Sequence, residues 1–339
     1  MRRRVWLQRA GRFLVGGAAL ELLGSAGPAR WVKAAAGAEV LRGVVEWIVP
    51  FSAGGGWDTY TRVLANIWDQ EFLPQADVVV RNYTGAAAIE GITALYRAAP
   101  DGKTIGSVPT NTAYVNQLLQ PRLARYDARR FTYLGSMSEE HYVVFVSARS
   151  PYRSIDALRR AANLRTGAVG RGSSSYIAAV VAMQALGIRA TLIPSGTGSR
   201  EVALAAARGD LEFVVYNYSD VKPFVDSGDL IPVLFLGPED SRPAALADVP
   251  TVNDAGVPEA GLVVEWRVIA GPPGMPQELA GYLEESLWKA MQHPRFRQWS
   301  QESGRAIRPR RGEDIRELVL ASFQLLDRTV PALVEQGLL

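Results

Sequence analysis

The residue types that perform catalysis are scarce in this 339-residue chain, and those present are poorly spaced for it. Cysteine is absent, which excludes thiol nucleophiles, disulfides and cysteine-ligated metals. The 2 histidines are His141 and His293, so a His-rich metal site is impossible and a serine nucleophile would have one imidazole at most. His141 is expected at a strand edge, and His293 at a helix end before Pro294. The G-x-S-x-G turn that lifts a serine above a sheet does not occur. The Gly102-Lys103 pair lacks the glycine five residues earlier that a phosphate-cradling P-loop needs. Gly54-Gly55-Gly56-Trp57-Asp58-Thr59 fails as a dinucleotide fingerprint, because threonine stands where the third glycine belongs. The adjacent acids Glu139-Glu140 and Glu284-Glu285 read as solvated surface. No metal and no cofactor is implied, and nothing supports an enzyme.

Binding chemistry is better supplied. Four segments combine glycine with hydroxyl or amide residues just before a helical pattern. They are Pro50 to Asp58, Asn82 to Ala86, Gly170 to Ser175, and Ser195 to Ser199. Glycine lets backbone approach a ligand closely, and a helix N-terminus presents unpaired N–H groups with partial positive charge. Converging, such loops form an anion site that needs no lysine or arginine. Each loop alone is turn chemistry, and Asp58 alone reads as a helix N-cap.

The elements that would carry these loops follow from hydrophobic period. Short β-branched runs at 44–49, 77–81, 104–108, 141–147, 167–170, 190–193, 211–216, 230–236 and 263–270 alternate with helical patterns at 58–72, 86–98, 154–163, 174–186, 199–208 and 220–227. Three more helical patterns, 276–292, 294–303 and 312–336, close the chain. Repeated strand–helix units imply parallel sheets covered by helices, and there are too many for one open sheet. Two α/β domains joined by crossing strands fit better, with ligands at the carboxyl ends of the strands.

The net charge of +3 belongs to the beginning of the chain. Residues 1–38 hold seven basic residues and one acid, Glu21, so the remainder is slightly acidic and no nucleic-acid partner follows. Arg2-Arg3-Arg4-Val5-Trp6-Leu7 approximates a twin-arginine (Tat) export pattern. A mild apolar stretch, Phe13 to Leu23, follows, and A-x-A cleavage sites end at Ala36 or Ala38. An export signal over 1–38 and a soluble periplasmic mature protein are therefore expected.

Val49-Pro50-Phe51, with Gly54-Gly55-Gly56-Trp57-Asp58 and Arg62-Val63-Leu64-Ala65 after it, resembles a known opening. It is the V-P-F-x-x-G-G-x-x-D-x-x-A-R of tripartite tricarboxylate transporter solute receptors, the Bug-type periplasmic binding proteins. Ala98 to Ile105, Asp248 to Gly256, and Trp266 with Ala270 to Pro276 are similar to later motifs of that family, in the same order. The resemblance implies an α/β, two-lobed type II periplasmic binding protein (Venus flytrap), each lobe a sheet flanked by helices. Lobe 1 would comprise 39–142 plus 266–339, and lobe 2 would comprise 143–265, with two crossing strands as hinge. It further implies a small carboxylate ligand, whether di- or tricarboxylate, aromatic acid or acidic amino acid, and membrane transporter subunits as partners. Carried over by position, the ligand-binding residues are Phe51, Ser52, Gly55, Trp57 and Asp58, then Thr84, Gly85 and Ala86. Ser173, Ser174, Ser175, Gly196 and Thr197 would face them from the second lobe.

Asn82-Tyr83-Thr84-Gly85-Ala86-Ala87 departs from the family's N-R-P-G-A-G-G, Tyr176 replaces a common histidine, and Pro194-Ser195-Gly196 a common P-Y-K. Trp57 replaces a residue that is often small. It either folds onto its own lobe or faces the ligand, where its ring would favour a flat or apolar ligand body. The rival functions are a receptor that reports ligand to a signalling partner, an exported α/β enzyme, and a scaffold without ligand.

Overall fold

The computed structural model describes residues 41–194, 198–261, 263–335 and 337. The expected export signal, Gly196 and Thr197 lie outside the described residues. Among the described residues nine strands form one continuous, mixed sheet. β1 (Gly43–Val49) lies between β2 (Ala76–Asn82) and β3 (Thr104–Pro109), parallel to both. β9 (Val264–Gly271) runs antiparallel beside β3 and beside β4 (Thr132–Ser147). The sheets are therefore not purely parallel, because the two strands that run between the halves of the molecule return against their neighbours.

β4 is the spine. It pairs with β9 as far as His141, and from Tyr142 onward pairs with β7 (Phe213–Asn217) on one side and β8 (Leu230–Leu236) on the other. β5 (Leu164–Ala168) then joins β7, and β6 (Ala190–Pro194) forms the edge. His141 is consequently inside the sheet and not at its edge. Its ring packs on Phe235, and burial pushes its pKa down. Only the second half of β4 carries the continuous apolar run of a buried strand, Tyr142 to Val146. Its first half, Thr132 to Glu140, is polar in composition yet almost wholly buried, since β9 covers one edge and helices cover its faces.

Helices cover both halves: α1 (Gly56–Phe72), α2 (Ile89–Arg97), α3 (Thr110–Leu119), α4 (Ile155–Arg160), α5 (Ser174–Leu186), α6 (Ser199–Arg208) and α7 (Tyr218–Asp226). The C-terminal α8 (Gln277–Gln292), α9 (Pro294–Ser303) and α10 (Gly312–Glu335) return to the first half. Under α1 and α8 lies a core containing Trp47, Trp68, Leu64, Ile105, Leu283 and Phe296. Its two tryptophans meet edge-to-face at 5.8 Å, and the Trp68 indole N–H donates to Ser286 Oγ at 3.0 Å. A separate core around Phe145, Val202, Tyr216 and Leu230 holds α6 and α7 to the second half. His293 closes α8 and caps α9, where Pro294 occupies the first turn. Among the described residues no helix is long and apolar enough to cross a membrane.

Two local departures from the periodic expectation have physical causes. The helix after β2 begins at Ile89 and not at 86, because Ala86, Ala87 and Ala88 have φ values of 45°, 52° and 76°. These lie in the left-handed region, which the alanine Cβ disfavours by about 1–2 kcal/mol per residue. α3 carried no periodic signal because its buried residues include the polar Thr110, Asn111, Thr112 and Asn116, so no apolar stripe marks the buried face.

Candidate functional site

Four helices begin at the carboxyl end of a strand and face one cavity between the halves of the molecule. Its volume is only about 30 Å³, within about 420 Å³ of unfilled space that includes open solvent. α1 contributes Gly55, Gly56 and Trp57, with Phe51 beside them; α5 contributes Ser173, Ser174 and Ser175. Gly198 and Ser199 come from α6, Asn217 and Asp220 from α7, and Tyr142, Val169, Tyr216 and Glu265 complete the wall. The N-caps of α1, α6 and α7 are Gly55, Gly198 and Asn217, and none of the three gives a side-chain hydrogen bond to its helix. Their first-turn N–H groups lack intrahelical acceptors, so partial positive charge faces the cavity.

The serines of α5 are tied together. Ser173 Oγ accepts from the Tyr176 N–H at 3.1 Å and lies 3.0 Å from Ser175 Oγ, which accepts from the Tyr216 hydroxyl at 3.3 Å. Ser174 reaches the other half: its N–H donates to Thr112 Oγ1 at 2.7 Å, and its own Oγ lies 2.9 Å from that oxygen. The Ser52 hydroxyl spans the same divide to Glu201 Oε2 at 3.5 Å. Phe51 and Trp57 meet at 5.9 Å between ring centroids, and Trp57 both borders the cavity and covers the Arg267 guanidinium at 5.2 Å.

Asp58 has a different place. α1 starts two residues earlier than its periodicity indicates, so Asp58 is the third residue of the helix and Gly55 is the N-cap. Its carboxylate reaches back to the Gly54 N–H at 2.9 Å and also accepts from Arg62 Nε and Asn82 Nδ2, each at 2.9 Å. It is like the reciprocal arm of a capping box but reaches one residue further back, to the residue before the N-cap. Burial alone would raise its pKa, but the Arg62, Gly54 and Asn82 donors outweigh that and hold it below the usual carboxylate range. It does not border the cavity, and neither do Ser52, Thr84, Gly85 and Ala86. The Gly85 loop instead sits at the rim: Asn116 Nδ2 donates to the Ala87 carbonyl at 2.8 Å, and Ala87 faces Gly170 of the second half.

A buried charge cluster backs the cavity. Arg267 on β9 pairs through Nη2 with Asp220 Oδ1 and, at 3.0 Å, with Glu140 Oε2. Glu140 also accepts from the Tyr60 hydroxyl at 2.9 Å and from the Ser219 hydroxyl at 2.5 Å. Glu140 is therefore core and not solvated surface, whereas Glu139 pairs outward with Arg308 and Arg310. Despite burial, Asp220 and Glu140 hold Arg267 firmly cationic. Glu265 accepts from the Tyr142 hydroxyl at 2.7 Å, and burial pushes its pKa up to about 7. Sequence reasoning missed Asn217 and Asp220 because their loop contains no glycine, although it too joins a strand to a helix. Tyr142 and Glu265 gave no local signal, since they meet only through the pairing of β4 with its neighbours. Among the described residues no group of three or more acids and histidines could hold a metal ion.

Residues 61–319 match the tripartite tricarboxylate transporter family receptor, which is well over half of the chain. The chain belongs to this receptor family. These receptors are solute-binding proteins and not enzymes. BugT of Bordetella pertussis is 26% identical over 255 residues, covering 73% of this chain and 76% of BugT. MatC of Rhodopseudomonas palustris with bound malate superposes with a TM-score of 0.74 at 22% identity, covering 83% of this chain and 97% of that one. A second R. palustris protein, with adipate, gives 0.76 at 21% identity, covering 84% and 95%. The receptor accordingly has the two-lobed, type II periplasmic binding protein fold, each lobe a part of the sheet flanked by helices.

Proposed function

We propose that this receptor binds a small carboxylate in the cavity between its lobes and delivers it to the membrane subunits of a tripartite tricarboxylate-type transporter. The observation that carries the reading is the convergence of four helix N-termini, three without a side-chain cap, on one cavity. Such a site attracts a carboxylate without a basic side chain, and malate and adipate occupy the two R. palustris structures. Phe51, Gly55, Trp57 and Ser173 to Ser175 are the proposed contacts. Ser52 and the Thr84-Gly85-Ala86 loop belong to the rim, Asp58 holds the first loop in shape, and Gly196 and Thr197, outside the described residues, are kept as proposed ligand contacts. Lobe 1 is taken as 39–142 plus 266–339 and lobe 2 as 143–265, hinged where β4 changes partners. The work is done in the periplasm, after Tat export and cleavage near Ala36 or Ala38. Replacing Arg3 and Arg4 by lysine should then trap precursor, and normal export of that variant would reject the Tat route.

Thermal unfolding of the mature receptor against di- and tricarboxylates, aromatic acids and acidic amino acids tests the function. A ligand at 100 times its dissociation constant adds about 2.7 kcal/mol of stability. No shift with any carboxylate would contradict the proposal.

A further inference from the structure

The cavity wall is not uniformly electropositive. Facing the same space as the helix N-termini are two carboxylates, Asp220 and Glu265, and among the described residues no lysine or arginine borders it. Asp220 is neutralised from behind by Arg267, which it shares with Glu140. Glu265 has no ion pair among the described residues; the neutral Tyr142 hydroxyl donates to its Oε2 at 2.7 Å, the Ser174 side chain hydrogen-bonds it as well, and the nearby Arg267 charge favours its ionised form. The residue is 4% exposed, so water does little to screen it. Three carboxylates thus share one guanidinium, and once Glu265 ionises, which burial delays to about pH 7, the charge left over is negative and borders the cavity. A ligand anionic along its whole length would meet attraction at one wall and repulsion at the other.

We propose that the ligand is a small carboxylate that also carries a nitrogen-bound hydrogen, as ammonium or amide, and that Glu265 is the specificity-determining residue that accepts it. This deepens the carboxylate reading above and rests on it. The ligand carboxylate lies against the Gly55–Trp57 and Ser173–Ser175 turns, and its nitrogen lies against Glu265. A buried acceptor that must be satisfied discriminates strongly against ligands lacking the donor. Burial lifts the Glu265 pKa to about 7. An ammonium would therefore bind better as pH rises through neutrality, while an amide would show little such dependence.

The test is calorimetric titration of the whole mature receptor with matched pairs: succinate against aspartate and against succinamate, glutarate against glutamate, adipate against 2-aminoadipate. The nitrogen-bearing member of at least one pair should bind at least tenfold more tightly. Glu265→Gln should reduce that ratio at least tenfold and tighten binding of the plain diacid, while Glu265→Asp, which keeps a carboxylate, should retain part of the ratio. For an ammonium ligand the affinity should rise from pH 6 to pH 8; a flat profile with the amide preferred identifies the amide. Plain diacids binding as tightly or more tightly in every pair would overturn the proposal and leave the carboxylate receptor standing. So would a ratio unchanged in Glu265→Gln. Absence of binding by any carboxylate would remove both readings.

Discussion

Gly56→Ala should uncouple the lobes while leaving each lobe folded. A Cβ at Gly56 would lie 1.8 Å from Asp220 Oδ1, 2.7 Å from Asp220 Cγ and 3.0 Å from Arg267 Nη2. The Asp220 side chain could swing away, but only by leaving Arg267, and both are buried at 8% and 0% side-chain exposure. Breaking a buried ion pair costs about 3–5 kcal/mol. Arg267 keeps Glu140 at 3.0 Å, so the lower end applies. Alanine also gains about 1 kcal/mol over glycine within a helix, but open and closed arrangements share that gain. Bringing α1 against α7 therefore becomes about 3 kcal/mol less favourable, which weakens a ligand that needs the closed cleft by roughly a hundredfold. Calorimetry on parent and variant measures this, and small-angle scattering should show less compaction on ligand addition. The double variant Gly56→Ala/Asp220→Ala should recover part of the loss, because the clashing oxygen is gone. Affinity within twofold of the parent would refute the reasoning. Gly55→Ala provides a contrast, since a Cβ there finds its nearest atoms at 3.5 and 3.6 Å, ordinary contact.

Further outcomes follow from the same geometry. Asp58→Ala removes the acceptor for Gly54, Arg62 and Asn82, and should cost about 1–3 kcal/mol in denaturant unfolding without reordering ligand preference; a changed preference would place the carboxylate in the cleft. Glu265, raised from 4.5 to about 7, keeps its proton in the folded protein after the unfolded chain has lost it. Parent stability should therefore fall between about pH 5 and pH 7. Glu265→Gln should lack that fall, so its advantage in denaturant unfolding should grow from pH 5 to pH 8; a constant difference would reject the shift. Ala87→Gly relieves a left-handed φ of 52° and should raise the unfolding midpoint, with a net gain of about 0.5–1 kcal/mol. A lowered midpoint would contradict the strain.

The strand–helix alternation was legible because most of the sheet is half apolar run and half turn, and because α1, α6 and α8 each bury one stripe. Legibility failed where burial was complete on every side, as in α3 and the first half of β4. It failed again at Glu140, whose sequence neighbour Glu139 suggests surface but whose pleat position turns it inward to Arg267. Glycine and serine before a helix marked the α1 and α5 loops, both of which reach the cavity, and equally marked the Thr84–Ala86 loop, which reaches only its rim. The cavity's acidic wall depends on residues that are distant in sequence. Tyr142 and Glu265 are brought within 2.7 Å by strand pairing alone, and local pattern carries no register information of that kind.

The central claim is that a carboxylate sits between the lobes on uncapped helix N-termini, and a crystal structure with the ligand chosen by thermal unfolding tests it most directly. The expected result places a carboxylate oxygen about 3 Å from donors of both the Gly55–Trp57 turn and the Ser173–Ser175 turn. A ligand held by one lobe only, or outside this cavity, would contradict it.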